Sequence, residues 1–139
     1  MGDLLGAAPC YVKMHSRGEY VFDQSWAEAF ERAGGDYYPK LQVSVPFTPV
    51  TGPRLLARTG LHSEAVPCAL ADGMVEITTA SELSSAHVTF LTHEEWQMLG
   101  TRKFLCRTDQ QFHWENADYA WFDDFLSVLA SRKRKTIRR

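Results

Sequence analysis

The segment QQFHWEN, residues 110–116, sets His113 and Glu115 two positions apart. In an extended strand alternate residues share a face, so these two would stand about 6–7 Å apart, beside Gln111. Phe112 and Trp114 would take the opposite face, toward a core. An imidazole and a carboxylate so placed suit general-base chemistry, because either can take a proton from an attacking ammonium, directly or through water. A neighbouring carboxylate also raises an imidazole's pKa and orients its ring. The same residues equally suit the polar side of an ordinary sheet.

A second candidate is VPFTPVTGPR, residues 45–54. A strand that enters a loop and then a helix gathers backbone N–H groups where a phosphate can bind. Val45, Thr48 and Thr51 lie along that path, Gly52 permits close backbone approach, and Arg54 brings positive charge. Against this, Pro46, Pro49 and Pro53 remove three donors. The stretch therefore reads either as a structural turn or as a ligand loop. Metal chemistry is not expected: His15, His62, His87 and His93 stand alone, without ligand spacing. Cys10, Cys68 and Cys106 are odd in number, far apart and outside any C-x-x-C pattern, which argues against a zinc site or a disulfide framework. Cys68 and Cys106 are expected as small core residues, and a reduced, cytoplasmic compartment is the simplest setting.

The elements that must position these residues follow from periodicity. Residues 7–14 read as a strand limited by Pro9. Asp23 is expected to cap a helix over Gln24–Arg32 with Trp26, Ala29, Phe30 and Ala33 on one face, stopped by Gly34-Gly35. Leu41, Val43, Val45 and Phe47 alternate with polar residues, which predicts a strand over 37–47. Residues 61–83 are interrupted by Pro67, Gly73 and the β-branched run 75–79, so a helix there is expected to be shortened or distorted. A strand follows at 86–91. Thr92 with Glu95 forms a capping box for a helix over His93–Thr101. A strand or bent pair of strands is expected over 104–116, then a helix from Tyr119 whose acidic start and basic end suit its dipole. Such alternation indicates a mixed α/β sheet covered by helices.

Charge is distributed unevenly. SRKRKTIRR, residues 131–139, holds six basic residues: Arg132, Lys133, Arg134, Lys135, Arg138 and Arg139. The remaining chain carries 9 basic against 17 acidic residues, a net of -8. That excludes nucleic-acid binding over the whole surface and leaves the basic end as a phosphate-facing candidate. No run approaches the roughly 20 apolar residues that span a bilayer. The opening residues MGDLLGAAPCYV lack a basic region and carry Asp3, a poor signal peptide.

Taken together, GAAPCYVK, SRGEYVFDQSWAEAFERAGG, YYPKLQVSVPFTPVTGPRLL, SSAHVTFL, QQFHWEN and FDDFLSVLASRKRKTIRR closely resemble the bacterial peptidoglycan biosynthesis/recognition family of GNAT-like, Fem-type N-acyltransferases. The resemblance covers nearly the whole chain apart from its middle. It implies an α/β GNAT-like fold with a mostly antiparallel sheet. Residues 1–139 would be a single GNAT-like domain and an incomplete part of a tandem protein, with 131–139 leading to a second unit. It implies acyl or aminoacyl transfer to an amine in cell-wall precursor metabolism. The donor would be acyl-coenzyme A or aminoacyl-tRNA, held by Val45, Thr48, Thr51, Gly52 and Arg54, with His113 or Glu115 as base. The loop is poorer in glycine and basic residues than a usual GNAT pyrophosphate loop. Expected partners are the donor, the amine acceptor and the second unit, with RNA or an anionic membrane surface at the basic tail and no DNA. A non-catalytic half-domain that binds a ligand or packs on a partner domain is the alternative.

Overall fold

The computed structural model describes residues 2–60 and 65–138. His62, Arg139 and the start of the 61–83 segment lie outside the described residues. The chain divides into two compact units, Met1–Cys106 and Arg107–Arg139. The first contains β1 (Gly6–Ala7), β2 (Cys10–Lys13), α1 (Gln24–Arg32), β3 (Lys40–Val43), β4 (Leu56–Ala57), α2 (Ala65–Ala80), β5 (Ala86–Val88) and α3 (His93–Thr101). The second contains α4 (Phe122–Ser127) and α5 (Ser131–Ile137).

In the first unit β3 is the central strand. It pairs antiparallel with β2, setting Val12 opposite Leu41 and Lys13 opposite Lys40, and parallel with β5, setting Gln42 opposite His87. β1 and β4 form a separate antiparallel pair. The architecture is α/β with mixed pairing, and the crossover between the parallel strands runs through α2, as parallel pairing requires. The two faces of β3 differ in kind. Leu41 and Val43 point into an apolar cluster with Leu55, Ala71, Met74 and Leu99. Lys40, Gln42 and Ser44 alternate onto the other face and are also buried.

Local chemistry explains most element limits. α1 occupies the expected span and ends in a Schellman motif: Gly34 lies at φ +87, its N–H bonds Glu31 O, and the N–H of Gly35 bonds Phe30 O. Its apolar stripe is not the buried one, however. Trp26 and Phe30 are exposed, and Ala27 is the residue that packs inward. α2 runs 16 residues and ends at Ala80, short of residue 83 as expected, but it is not interrupted at Pro67, Gly73 or the run 75–79. Pro67 sits in its first turn, where a missing N–H costs nothing. The hydroxyls of Thr78 and Thr79 donate to Met74 O and Val75 O, which reconciles the β-branched run with helix. α3 carries the predicted capping box.

Residues 104–116 form no strand. Phe112 and Trp114 are 87% and 66% exposed, so no core fixes the period of two there. The expected final helix is two short helices, with Arg132, Lys133, Arg134 and Lys135 on α5. Trp121 caps α4 through its backbone, its N–H donating to Asp124 Oδ2. In the second unit Phe125 packs edge-on with Trp114 and Tyr119, and Leu126 is the buried residue. Cys106 is exposed, not a core residue, and Cys68 is half-buried.

Candidate functional site

The parallel strands β3 and β5 end side by side, and in open α/β sheets ligands meet the crevice beyond such ends. The loop after β3, residues 44–55, and the turn after β5, residues 89–92, form that edge. The two are clasped. The N–H of Gly52 donates to Phe90 O at 3.0 Å, and Gln42 Nε2 donates to Thr89 Oγ1 at 3.0 Å. Glu95 closes the clasp from the first turn of α3. Its carboxylate accepts from the amides of Arg54 and Leu55, both within 3.0 Å, besides completing the α3 cap at Thr92.

Arg54 is the loop's internal frame. Its side chain is buried, with Nε donating to Thr89 O, NH1 to Gly52 O and Pro53 O, and NH2 to Val50 O at 2.7 Å. Burial pushes its pKa down and the Glu95 charge pushes it back up, so it remains a cation inside the loop. The guanidinium thus turns four carbonyls inward. Some loop amides are left over: among the described residues Val45, Val50 and Thr51 have N–H groups with no intramolecular acceptor, and all three residues are exposed. Thr48 turns its hydroxyl onto Pro46 O.

Sequence reasoning missed the largest polar feature of the first unit. Lys40 Nζ is fully buried and donates to Ser16 Oγ at 2.7 Å, Glu19 Oε2 at 2.8 Å and Asp23 Oδ2 at 3.0 Å. It also lies 5.6 Å from the ring centres of both Tyr37 and Tyr38. Asp23 was expected to cap α1, but its side chain makes no cap bond and instead accepts from Lys40, Ser16 and Tyr37. Burial raises the Asp23 pKa, but the hydrogen bonds from Ser16, Lys40 and Tyr37 and the Lys40 charge outweigh it and hold the carboxyl below its ordinary value. Glu19 Oε1 and Asp23 Oδ1 are buried with no hydrogen-bond partner among the described residues. Lys13 Nζ stands 3.6 Å from Glu19 Oε1. The available signal was a lysine on the polar phase of a strand whose preceding segment carries two acids.

His113 and Glu115 lie in the second unit, both exposed. His113 Nε2 is 2.9 Å from Gln111 Oε1. Without a strand, the predicted one-face pairing of His113 with Glu115 has no backbone to impose it. The donor-loop candidates Val45, Thr48, Thr51, Gly52 and Arg54 lie together in the first unit. His15 Nδ1 accepts from the amide of Arg17, His87 meets Ser85 Oγ and His93 stacks on Trp96. Among the described residues no helix is long and apolar enough to cross a membrane.

Comparison with known proteins adds one finding. The model of the FemAB-like family, described as peptidoglycan biosynthesis/recognition, matches residues 1–139. No curated protein and no solved structure matches the chain.

Proposed function

Because the chain belongs to the FemAB-like peptidoglycan biosynthesis/recognition family, we propose that it is the GNAT-like part of an N-acyltransferase whose donor loop is residues 45–54. The observation that carries this reading is the set of uncommitted amides at Val45, Val50 and Thr51, beyond the ends of two parallel strands. Such amides can polarise the carbonyl of an acyl donor and stabilise the oxyanion that forms on attack. In the reaction the acceptor nitrogen bonds the acyl carbon, the tetrahedral intermediate collapses, and the thiolate of coenzyme A or a ribose oxygen of tRNA departs. A base takes the proton that the ammonium must lose before attack, and His113 and Glu115 are candidates for that role by residue type alone. Positioning supplies the rest of the rate. The exposed cations Arg132, Lys133 and Lys135 on α5 are proposed to face phosphates, whether of RNA or of an anionic membrane surface.

Titration of the isotope-labelled protein with acetyl-coenzyme A tests the donor site. Shifts of the Val45, Thr51 and Gly52 amides are expected; silence there at millimolar ligand removes coenzyme A as donor and leaves aminoacyl-tRNA to be tried the same way. Replacing His113 by Ala should lower the transfer rate by about 10²–10⁴ if it is the base. Unchanged transfer removes His113 as the base. A second reading, a non-catalytic binding half-domain, is favoured by Arg54, whose three side-chain nitrogens each donate to a backbone carbonyl of the loop or of Thr89. Donor shifts without any transfer would support it.

A further inference from the structure

We propose that Gly18 and Phe47 are positioning residues for the donor loop, and that Lys40 holds the turn that carries Gly18. The inference rests on reading residues 45–54 as the donor site. Phe47 lies in the middle of that loop at φ +54, a conformation unfavourable for a residue with a side chain. Such a conformation persists only where its surroundings impose it. The turn over residues 45–48 requires it, with Pro46 before Phe47 and the Thr48 N–H donating to Val45 O at 3.2 Å, and two contacts from one residue fix where that turn sits. The N–H of Phe47 donates to Gly18 O at 3.2 Å. The Phe47 ring occupies the space beside Gly18, where a Cβ would lie 2.5 Å from the ring edge. Gly18 itself adopts φ +81, so the turn needs glycine for its backbone as well as for the seat it offers.

The turn is in its own right tied down from beneath. Ser16 and Glu19 both accept from the Lys40 ammonium, and Lys13 Nζ donates to Arg17 O at 3.0 Å. Lys40 begins β3 and Phe47 follows its end, so one strand joins the anchor to the loop that it positions. The chain of contact runs from Lys40 through Ser16 and Glu19 to Gly18, then to Phe47 between Val45 and Thr48. Phe47 is 73% exposed, so burial of its ring does not account for the backbone conformation. The turn over residues 45–48, seated on Gly18, accounts for it.

Backbone strain at position 18 would destabilise a substituted protein wherever the ring lay, so coupling between the two positions is the decisive measurement. Three proteins are made as full chains: Gly18→Ala, Phe47→Gly, and the double variant. In Gly18→Ala the amides of Val45, Val50 and Thr51 are expected to shift in the unliganded protein. Donor affinity is expected to fall about tenfold as the competent loop population falls by that factor. In the Phe47→Gly background the same Gly18→Ala change should leave loop amides and affinity where Phe47→Gly alone put them. Lys13→Met, at the partly exposed edge of the turn, should move the same amides in the same direction to a smaller extent. Loop amides unmoved by Gly18→Ala, or equal effects in both backgrounds, would overturn the proposal. A wild-type protein that binds no donor while its loop amides respond to Gly18→Ala would remove the donor site and keep the mechanical coupling. Donor binding that is indifferent to Gly18→Ala would do the reverse.

Discussion

Lys40 shows how much one buried charge constrains. Three oxygens and two tyrosine rings surround its ammonium, and two of the oxygens belong to carboxylates that are buried with it. Removing the cation leaves Glu19 and Asp23 without their shared partner. Lys40→Met should therefore cost about 3–5 kcal/mol, read as a shift of the denaturant midpoint at unchanged slope. Asp23 adds a pH dependence of definite sign. Its folded pKa lies below the unfolded value of about 3.9, so the unfolded chain binds the proton more readily. Its contribution is complete above that unfolded value and is lost as pH falls through the folded one. Stability should stay level from neutrality down to about pH 5 and fall below about pH 4. Asp23→Asn should flatten that fall, whereas an unaltered acid limb would show that other carboxylates govern it.

Elements are held by a few residues that serve two structures at once. Glu95 both caps α3 and receives the amides of Arg54 and Leu55, so it ties a helix start to the donor loop. Thr92→Ala removes only the cap and should cost about 1 kcal/mol in unfolding experiments. Glu95→Gln keeps the shape but loses the charge, and should also disturb the Arg54 and Gly52 amide resonances. If both variants leave the loop resonances alike, the clasp is not set by Glu95. The capping box and α1 were legible because their signals are local: a hydroxyl three residues before a carboxylate, and a paired glycine stop. α2 was harder, because Pro67 and the run 75–79 look like breakers until their positions in the helix are known. The strand expected over 104–116 failed for the opposite reason. Alternation of polar and apolar residues becomes a strand only where a neighbour pairs with it, and no ladder forms there among the described residues.

At the scale of the molecule, the two units differ in how they are built. The first is a mixed sheet with an apolar face under α2 and a polar, ion-paired face on the other side. The second has two short helices, with Trp114, Tyr119 and Phe122 packed against Phe125 and Leu126 buried. Residues 107–118 have no helix or strand and are exposed. Limited trypsin digestion should thus cut first at Arg107 and leave a protected fragment ending there. Early cleavage inside the first unit, at Arg32 or Arg58, would contradict the division.

The sequence by itself determined the α/β class, the span of α1, the α3 cap and a strand through Lys40–Val43, because these depend on neighbouring residues and on a period of two, and its motifs carried the resemblance to the family. Only the tertiary structure decided where the polar residues of β3 go. A sequence pattern assigns Lys40 and Gln42 to the face away from the core, but it cannot show that a distant segment covers that face. Burial then forces each charge to find a partner, and Glu19, Asp23 and Ser16 are brought to Lys40 from 17 to 24 positions away. The same long-range closure places Gly18 under Phe47 and Arg54 Nε on Thr89 O. Those contacts shape the candidate site, and none of them is encoded in local spacing.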